Sequence, residues 1–163
     1  MKRNNDPRFV GLAELKRQQA EQLAMFEQWA AGGNWSAVHR AHYDWWMFPI
    51  DKPSSYGMAY VVYEGDIAEL KQDPAYITRY LRGVELLMLA WGWDLAKQQP
   101  IPDPQPGQQW SRWPIRLHKA ASSVLLFGFP DVFAALQAYA KTLIDAGESF
   151  AYNGRDLATL FRV

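Results

Sequence analysis

Apolar residues recur at spacings of three and four along most of the chain, which is the period of an amphipathic helix. The first such segment, residues 7–31, starts with Pro7 directly after Asp6 and ends at Gly32-Gly33. A capping carboxylate followed by proline favours a helix start, and a glycine pair favours a helix end. This segment is therefore predicted to form one long helix.

The next segment is rich in histidine and tryptophan. We predict a helix from about residue 36 to residue 48, because Pro49 prevents its continuation. Positions three and four apart share one face of a helix. That face carries an aromatic-histidine stripe formed by Trp35, His39, His42 and Trp46. Asp44 is predicted to point to the opposite side, and the other helices to pack around the stripe.

The rest of the chain is also predicted to be mainly helical. Further helices are expected at residues 67–72, 75–96, 115–127, 131–146 and 156–161. The helix at 75–96 is apolar nearly all the way round, which places it in the middle of a bundle. The segment Met58 to Tyr63 has strand composition but no comparable run to pair with, so we expect extended chain packed on the helices. Residues 98–114 hold five prolines and are predicted to be a surface loop.

These elements predict an all-α fold, a compact single-domain bundle of about six helices with at most a minor extended segment near residues 58–63. The domain spans residues 1–163. No boundary is expected at the proline-rich loop, because the chain that follows it is too short to hold a core of its own.

Composition narrows the functional classes. The chain has no cysteine, which excludes disulfides, thiolate nucleophiles and cysteine-based zinc sites, and it is compatible with the cytoplasmic location that we expect. The 17 basic and 17 acidic residues cancel, so no overall field attracts nucleic acid or an anionic membrane. The longest apolar segment, Val84 to Trp93, is too short to span a bilayer. We therefore expect no nucleic-acid partner and no membrane partner.

The aromatic-histidine stripe is the candidate site. The predicted ligand-binding residues are His39, His42, Trp45, Trp46, Tyr60 and Arg79. We expect a non-catalytic domain with a ligand-sized cavity that touches at least two of His39, His42 and Trp46. Two imidazoles leave a metal site unfinished while Asp44 faces away, so neither a metal nor a cofactor is expected. The structural alternative is a hydrogen-bonded histidine pair inside an aromatic layer.

Two other functions stay open. An enzyme that used His42 as general acid or base would need a carboxylate within hydrogen-bond reach, and nothing in the sequence selects one. A dimer formed through Trp110 or Trp113 is the third possibility, since tryptophan near arginine is enriched at interfaces. No catalytic residue is assigned.

A short motif resembles a known family. His42, Trp45, Phe48 and Pro49 give the spacing His-x-x-Trp-x-x-Phe-Pro. This spacing is found in an uncharacterised bacterial family, the domain of unknown function 1810, which is often mislabelled calpastatin. Further similarities follow in order at Ser54-Ser55 to Tyr63, Asp73-Pro74, Arg79, Leu117 to Phe127, Phe133, Tyr139 and Asp156 to Leu160.

The resemblance covers about Leu23 to Leu160. It departs from the family at Ile50-Asp51, where the family usually has a glutamine, and at Lys52-Pro53-Ser54, where it has a glycine-rich stretch. Residues 98–114 look like an insertion. The resemblance implies an all-helical single domain, and it implies no activity, because none is established for the family.

Overall fold

The structure, a computed structural model, describes residues 1–162. This part of the chain forms seven α-helices: α1 (Leu12–Ala31), α2 (Trp35–Arg40), α3 (Asp44–Met47), α4 (Glu64–Lys71), α5 (Pro74–Ala90), α6 (Pro114–Leu126) and α7 (Pro130–Asp145). Two antiparallel hairpins pair β1 (Trp93–Asp94) with β2 (Gln99–Pro100) and β3 (Ala151–Tyr152) with β4 (Arg155–Asp156). A 3₁₀-helix, Leu157–Phe161, follows. The fold is mostly helical as predicted, whereas the all-α class and the six-helix count are approximate.

Helix α5 lies in the middle of the molecule. Its buried face includes Tyr80, Val84 and Leu87, each 0% exposed, and it packs against α1, α2 and α4. The predicted cap is confirmed, because Asp73 Oδ1 accepts hydrogen bonds from the backbone N–H groups of the first helical turn. The helix ends at residue 90 and not at 96, since Gly92 has a φ of 80° and turns the chain into β1.

Helix α1 starts later than predicted. Asp6 does not cap it; its side chain accepts a hydrogen bond from the backbone N–H of Arg8 in a tight turn. The buried Asn4 donates side-chain hydrogen bonds to the carbonyls of Met58 and Val61, at 3.0 and 2.8 Å. The N-terminal residues are therefore held against the 58–63 segment, and this tertiary contact overrides the local helix signal. That segment forms no strand, but the extended chain that we predicted is wrong at residues 58–60, which form a turn.

The predicted helix at residues 36–48 is wrong, because the chain breaks between α2 and α3. Ala41 is extended, with φ −71° and ψ 150°. In a continuous helix the carbonyl of His39 would accept from the N–H of Tyr43. It accepts instead from Nη1 of Arg116 on α6, at 2.8 Å. His39 and His42 consequently lie on opposite sides of a break, and the single stripe predicted from helical spacing does not form.

Residues 98–114 lie mostly at the surface, as predicted, but part of this loop packs onto the helices. Gln108 is buried and donates to the carbonyl of Leu89 at 2.9 Å. Trp110 packs on Trp91, with ring centroids 5.1 Å apart, and its indole nitrogen is enclosed. Trp110 is therefore half-buried, which does not fit its use as an exposed dimer contact, whereas Trp113 is 39% exposed.

The last features of the fold are an ion-pair link between α1 and α5 and the length and apolarity of the helices. Arg82 pairs with Glu85 on α5 and also with Glu27 on α1, the latter at 2.8 Å, so this arginine joins two helices. Within residues 1–162, no helix has the length and apolar character that crossing a bilayer requires.

Candidate functional site

A cavity of about 500 Å³ lies where the break between α2 and α3 faces the first two turns of α6. Residues 50–55 and the β3–β4 hairpin close its other sides. The wall beside the break and α6 is formed by His42, Asp44, Trp45, Trp113, Arg116 and Lys119. Its volume falls within the range of small-molecule sites, roughly 300–1,000 Å³.

Three aromatic rings form one side of this cavity. The His42 imidazole stacks on Trp45, with ring centroids 6.4 Å apart and planes at 25°. It also meets Trp113 edge to face at 6.3 Å. His42 is exposed and Trp45 half-buried, so a bound molecule can contact both.

Arg116 is the buried cation that organises this wall. Pro114 starts α6, which places Arg116 in the first turn with only 3% of its side chain exposed. Its guanidinium lies 4.1 Å from the ring centroid of Trp113 and 4.8 Å from that of Tyr43. Together with the hydrogen bond to His39, these contacts fix the side chain in one position.

Lys119 lies one turn further along the same face of α6. The residue is 8% exposed, and its Nζ lies 5.3 Å from the ring centroid of Trp45. No hydrogen bond or ion pair joins this ammonium to another side chain in the described part of the chain. Burial lowers the pKa of Lys119, and the neighbouring Asp44 carboxylate partly offsets that effect.

Asp44 is the carboxylate between these cations. The residue is 9% exposed, and Oδ1 is enclosed without a hydrogen-bond partner. Its nearest charged neighbour is Arg116, whose Nε lies 3.9 Å away, beyond hydrogen-bond distance. Burial raises the pKa of Asp44, while Arg116, Lys119 and His42 act in the opposite direction.

The charges around the cavity do not balance. Four cationic side chains line it, Lys52, Arg116, Lys119 and Arg155, against the two carboxylates Asp44 and Asp51. The half-buried His118 also lines it, and burial lowers its pKa, which favours the neutral ring. The excess of positive charge suits an anionic molecule.

Two of the predicted site residues, His42 and Trp45, line this cavity. At least two of His39, His42 and Trp46 were expected to touch the cavity. Of these three side chains, His42 alone lines it. His39 lies on the far side of the break, with Nε2 2.9 Å from the carbonyl of Gly107. Burial lowers the pKa of His39, and the bond to Gly107 partly offsets the effect.

The remaining predicted residues hold α1 in place instead. Trp46 Nε1 donates to Gln22, the Tyr60 hydroxyl to Gln18 and Arg79 Nε to Gln19, at 3.2, 3.1 and 2.9 Å. All three acceptors lie on α1. These three side chains are therefore engaged in joining α1 to the 44–60 segment and to α5.

Sequence reasoning missed the charged half of the site. Asp44 was set aside because a continuous helix would turn it away from His42, and the break reverses that conclusion. Arg116 and Lys119 had a signal of their own: two cations three residues apart within an otherwise apolar helix, directly after Trp113-Pro114. Cations on the apolar face of a helix need a partner, so this spacing is itself a signal of a charged site.

Two kinds of chemistry find no support in the geometry. No carboxylate within residues 1–162 is hydrogen-bonded to His42, which the acid–base mechanism requires. No group of three metal-ligating side chains occurs in that range either. Comparisons of the chain with protein-family models, curated proteins and solved structures returned no match.

Proposed function

We propose that this protein binds a small anionic molecule, without transforming it, in the cavity between the α2–α3 break and α6. The observation that carries the proposal is Lys119, a residue that is 8% exposed and lines a ligand-sized cavity, and whose ammonium forms no hydrogen bond or ion pair with another described residue. An unpaired buried charge is costly for the folded protein. An anion in the cavity would supply the missing partner.

The other cations support the same ligand charge. Arg116 is fixed by its contacts with His39, Tyr43 and Trp113, so it contributes a stationary positive charge and needs no rearrangement on binding. Lys52 and Arg155 are exposed cations of the lining. Since basic and acidic residues balance over the whole chain, this local excess is a property of the site.

The experiment is a thermal-shift titration with inorganic phosphate and with pyrophosphate, against sodium chloride at matched ionic strength. We expect the midpoint to rise with phosphate concentration, as it does for any ligand that binds the native state alone. Lys119→Met should abolish the shift. Lys141→Met, which removes an exposed lysine from α7, should keep it.

An equal shift in both variants would show that phosphate acts as a bulk salt, and the proposal would then be wrong.

Three expectations stay predictions: dimerisation through Trp110 or Trp113, cytoplasmic location and the resemblance to the uncharacterised bacterial family. Sedimentation of the parent protein, Trp110→Ala and Trp113→Ala tests dimerisation. A parent protein that sediments with the mass of a monomer contradicts it.

A further inference from the structure

A carboxylate in the middle of an anion site is the unexplained feature of this cavity. Asp44 lies in the same wall as Lys119 and Arg116, where it repels any bound anion. Enclosed polar atoms of native proteins are nearly always hydrogen-bonded, yet Asp44 Oδ1 has no partner. Neither repulsion nor a missing hydrogen bond helps a site that binds a simple anion.

We infer that the ligand is a phosphorylated polyol, either a free sugar phosphate or a nucleotide, whose phosphate pairs with Lys119 and whose hydroxyl groups donate to Asp44. This inference rests on the function proposed above. A carboxylate accepts hydrogen bonds from hydroxyl groups, as in the recognition of ribose by acidic residues. The phosphate and the hydroxyls of one molecule thus satisfy both unpartnered groups.

The surroundings of Lys119 and Asp44 fit a ligand that carries both a phosphate and hydroxyl groups. Lys119 is the buried cation without a partner, whereas Arg116 already donates to His39. Asp44 keeps 13% of its side-chain surface accessible, so its carboxyl can be reached from the cavity. The Cβ–Cγ torsion of an aspartate is broad, and rotation about it presents either oxygen to a ligand.

The neutral lining supports a hydroxylated ligand as well. Ser54, Ser55, Ser122 and Asn153 line the cavity and provide donors and acceptors for further hydroxyl groups. Trp113, 39% exposed, offers apolar surface for the sugar carbons or for a base.

The test is a titration by intrinsic tryptophan fluorescence, since Trp45 and Trp113 both line the cavity. The ligands are inorganic phosphate, ribose 5-phosphate and AMP. The parent protein should bind ribose 5-phosphate about tenfold more tightly than phosphate, which is the effect of roughly one hydrogen bond to a charged acceptor. Tighter binding of AMP than of ribose 5-phosphate, lost in Trp113→Ala, identifies the source as a nucleotide; equal binding identifies a sugar phosphate.

Asp44→Asn gives the decisive comparison. It removes the repulsion and weakens the acceptor, so phosphate should bind several-fold more tightly and ribose 5-phosphate several-fold more weakly. The matched control is Asp51→Asn, which removes an exposed carboxylate from the same cavity and should tighten both ligands alike.

The inference is overturned if Asp44→Asn tightens both ligands equally, because Asp44 then acts only by repulsion. Lys119-dependent phosphate binding would survive that result, and with it the proposed function. Should Asp44→Asn fail to fold, the parent protein decides alone: ribose 5-phosphate that binds no more tightly than phosphate contradicts the inference.

Discussion

Helix α6 carries buried polar side chains in two regions that differ in how completely they are paired. Ser123, 0% exposed near its C-terminal end, donates to the carbonyl of Pro49 at 2.8 Å and meets the Tyr80 hydroxyl at 2.8 Å. Lys119, one turn earlier, has no such partner. Both residues are part of the same regular helix.

Under the proposed function, this difference separates a polar group that serves the architecture from groups that bind a ligand. The hydrogen-bond chain from Tyr80 through Ser123 to Pro49 joins α5, α6 and the segment after α3, with every member satisfied. Asp44 and Lys119 in the cavity wall are 9% and 8% exposed, yet neither Asp44 Oδ1 nor the Lys119 ammonium is hydrogen-bonded to another described residue. Incomplete pairing inside a folded protein is unfavourable, so its presence beside a cavity points to an external partner.

The largest expected effect on stability comes from Arg116, which bonds to His39 at the α2–α3 break and also lines the cavity. Arg116→Met should lower the free energy of unfolding by about 3–5 kcal/mol, because it removes the cation nearest to the buried Asp44 and frees the carbonyl of His39. Urea unfolding measures the change, with the exposed Arg40→Met on α2 as control. A loss below about 1 kcal/mol would contradict the role given to Arg116 in the break.

The paired region predicts a smaller loss. Ser123→Ala removes the donor to Pro49 and the partner of Tyr80, and should cost about 1–3 kcal/mol. Tyr80→Phe should cost less, because Ser123 still donates to Pro49. Equal losses in the two variants would show that the serine does not link the two groups, and the same unfolding titration decides it.

Substitution of Lys119, in the cavity wall, is predicted to change the free energy of unfolding in the opposite direction. Burial lowers the pKa of Lys119, so the charged form is less favourable in the folded protein than in the unfolded chain. Lys119→Met should therefore raise the free energy of unfolding by about 1 kcal/mol in the absence of ligand. Lys141→Met serves as control and should change stability by less than about 0.5 kcal/mol. A destabilised Lys119→Met protein would remove the contrast between the two regions.

The smallest effect concerns pH. Burial lowers the pKa of His39 in the folded state, so the unfolded chain binds the proton more readily. This contribution to stability is present above the ordinary histidine pKa of about 6.5 and is lost as pH falls through the lower pKa of the folded state. In His39→Gln the dependence of unfolding on pH should be shallower below neutrality. Unfolding titrations at about pH 7.5 and in more acidic buffers measure the slope, and identical slopes would contradict the assignment.

The helical elements were predictable where the signal is local. Asp73-Pro74 opens α5 as expected, because a side-chain cap and a fixed proline φ act within one turn. The failed boundaries share a different cause. Asn4 holds the N-terminal residues against the 58–63 segment, and at the break in the 36–48 region the carbonyl of His39 accepts from Arg116, a residue more than 70 positions away.

The candidate site shows the same division. His42 and Trp45 reach the cavity, whereas His39 and Trp46, which share the predicted helical stripe with His42, do not. Asp44 was excluded by assuming a continuous helix. Breaking the helix moves Asp44 and His42 into one wall, a rearrangement that a periodicity argument cannot anticipate.

By itself the sequence determined the helical class, the central position of α5 and the concentration of aromatic and imidazole side chains near residues 39–48, because periodicity, capping and residue type act locally. Only the tertiary structure decided where the cavity opens and which charges enter it. The reason is a single competition for one carbonyl: Arg116 donates to His39 in place of the helix's own N–H group. That long-range hydrogen bond is made where α2 ends and the chain turns into the wall in which Asp44, Arg116 and Lys119 meet.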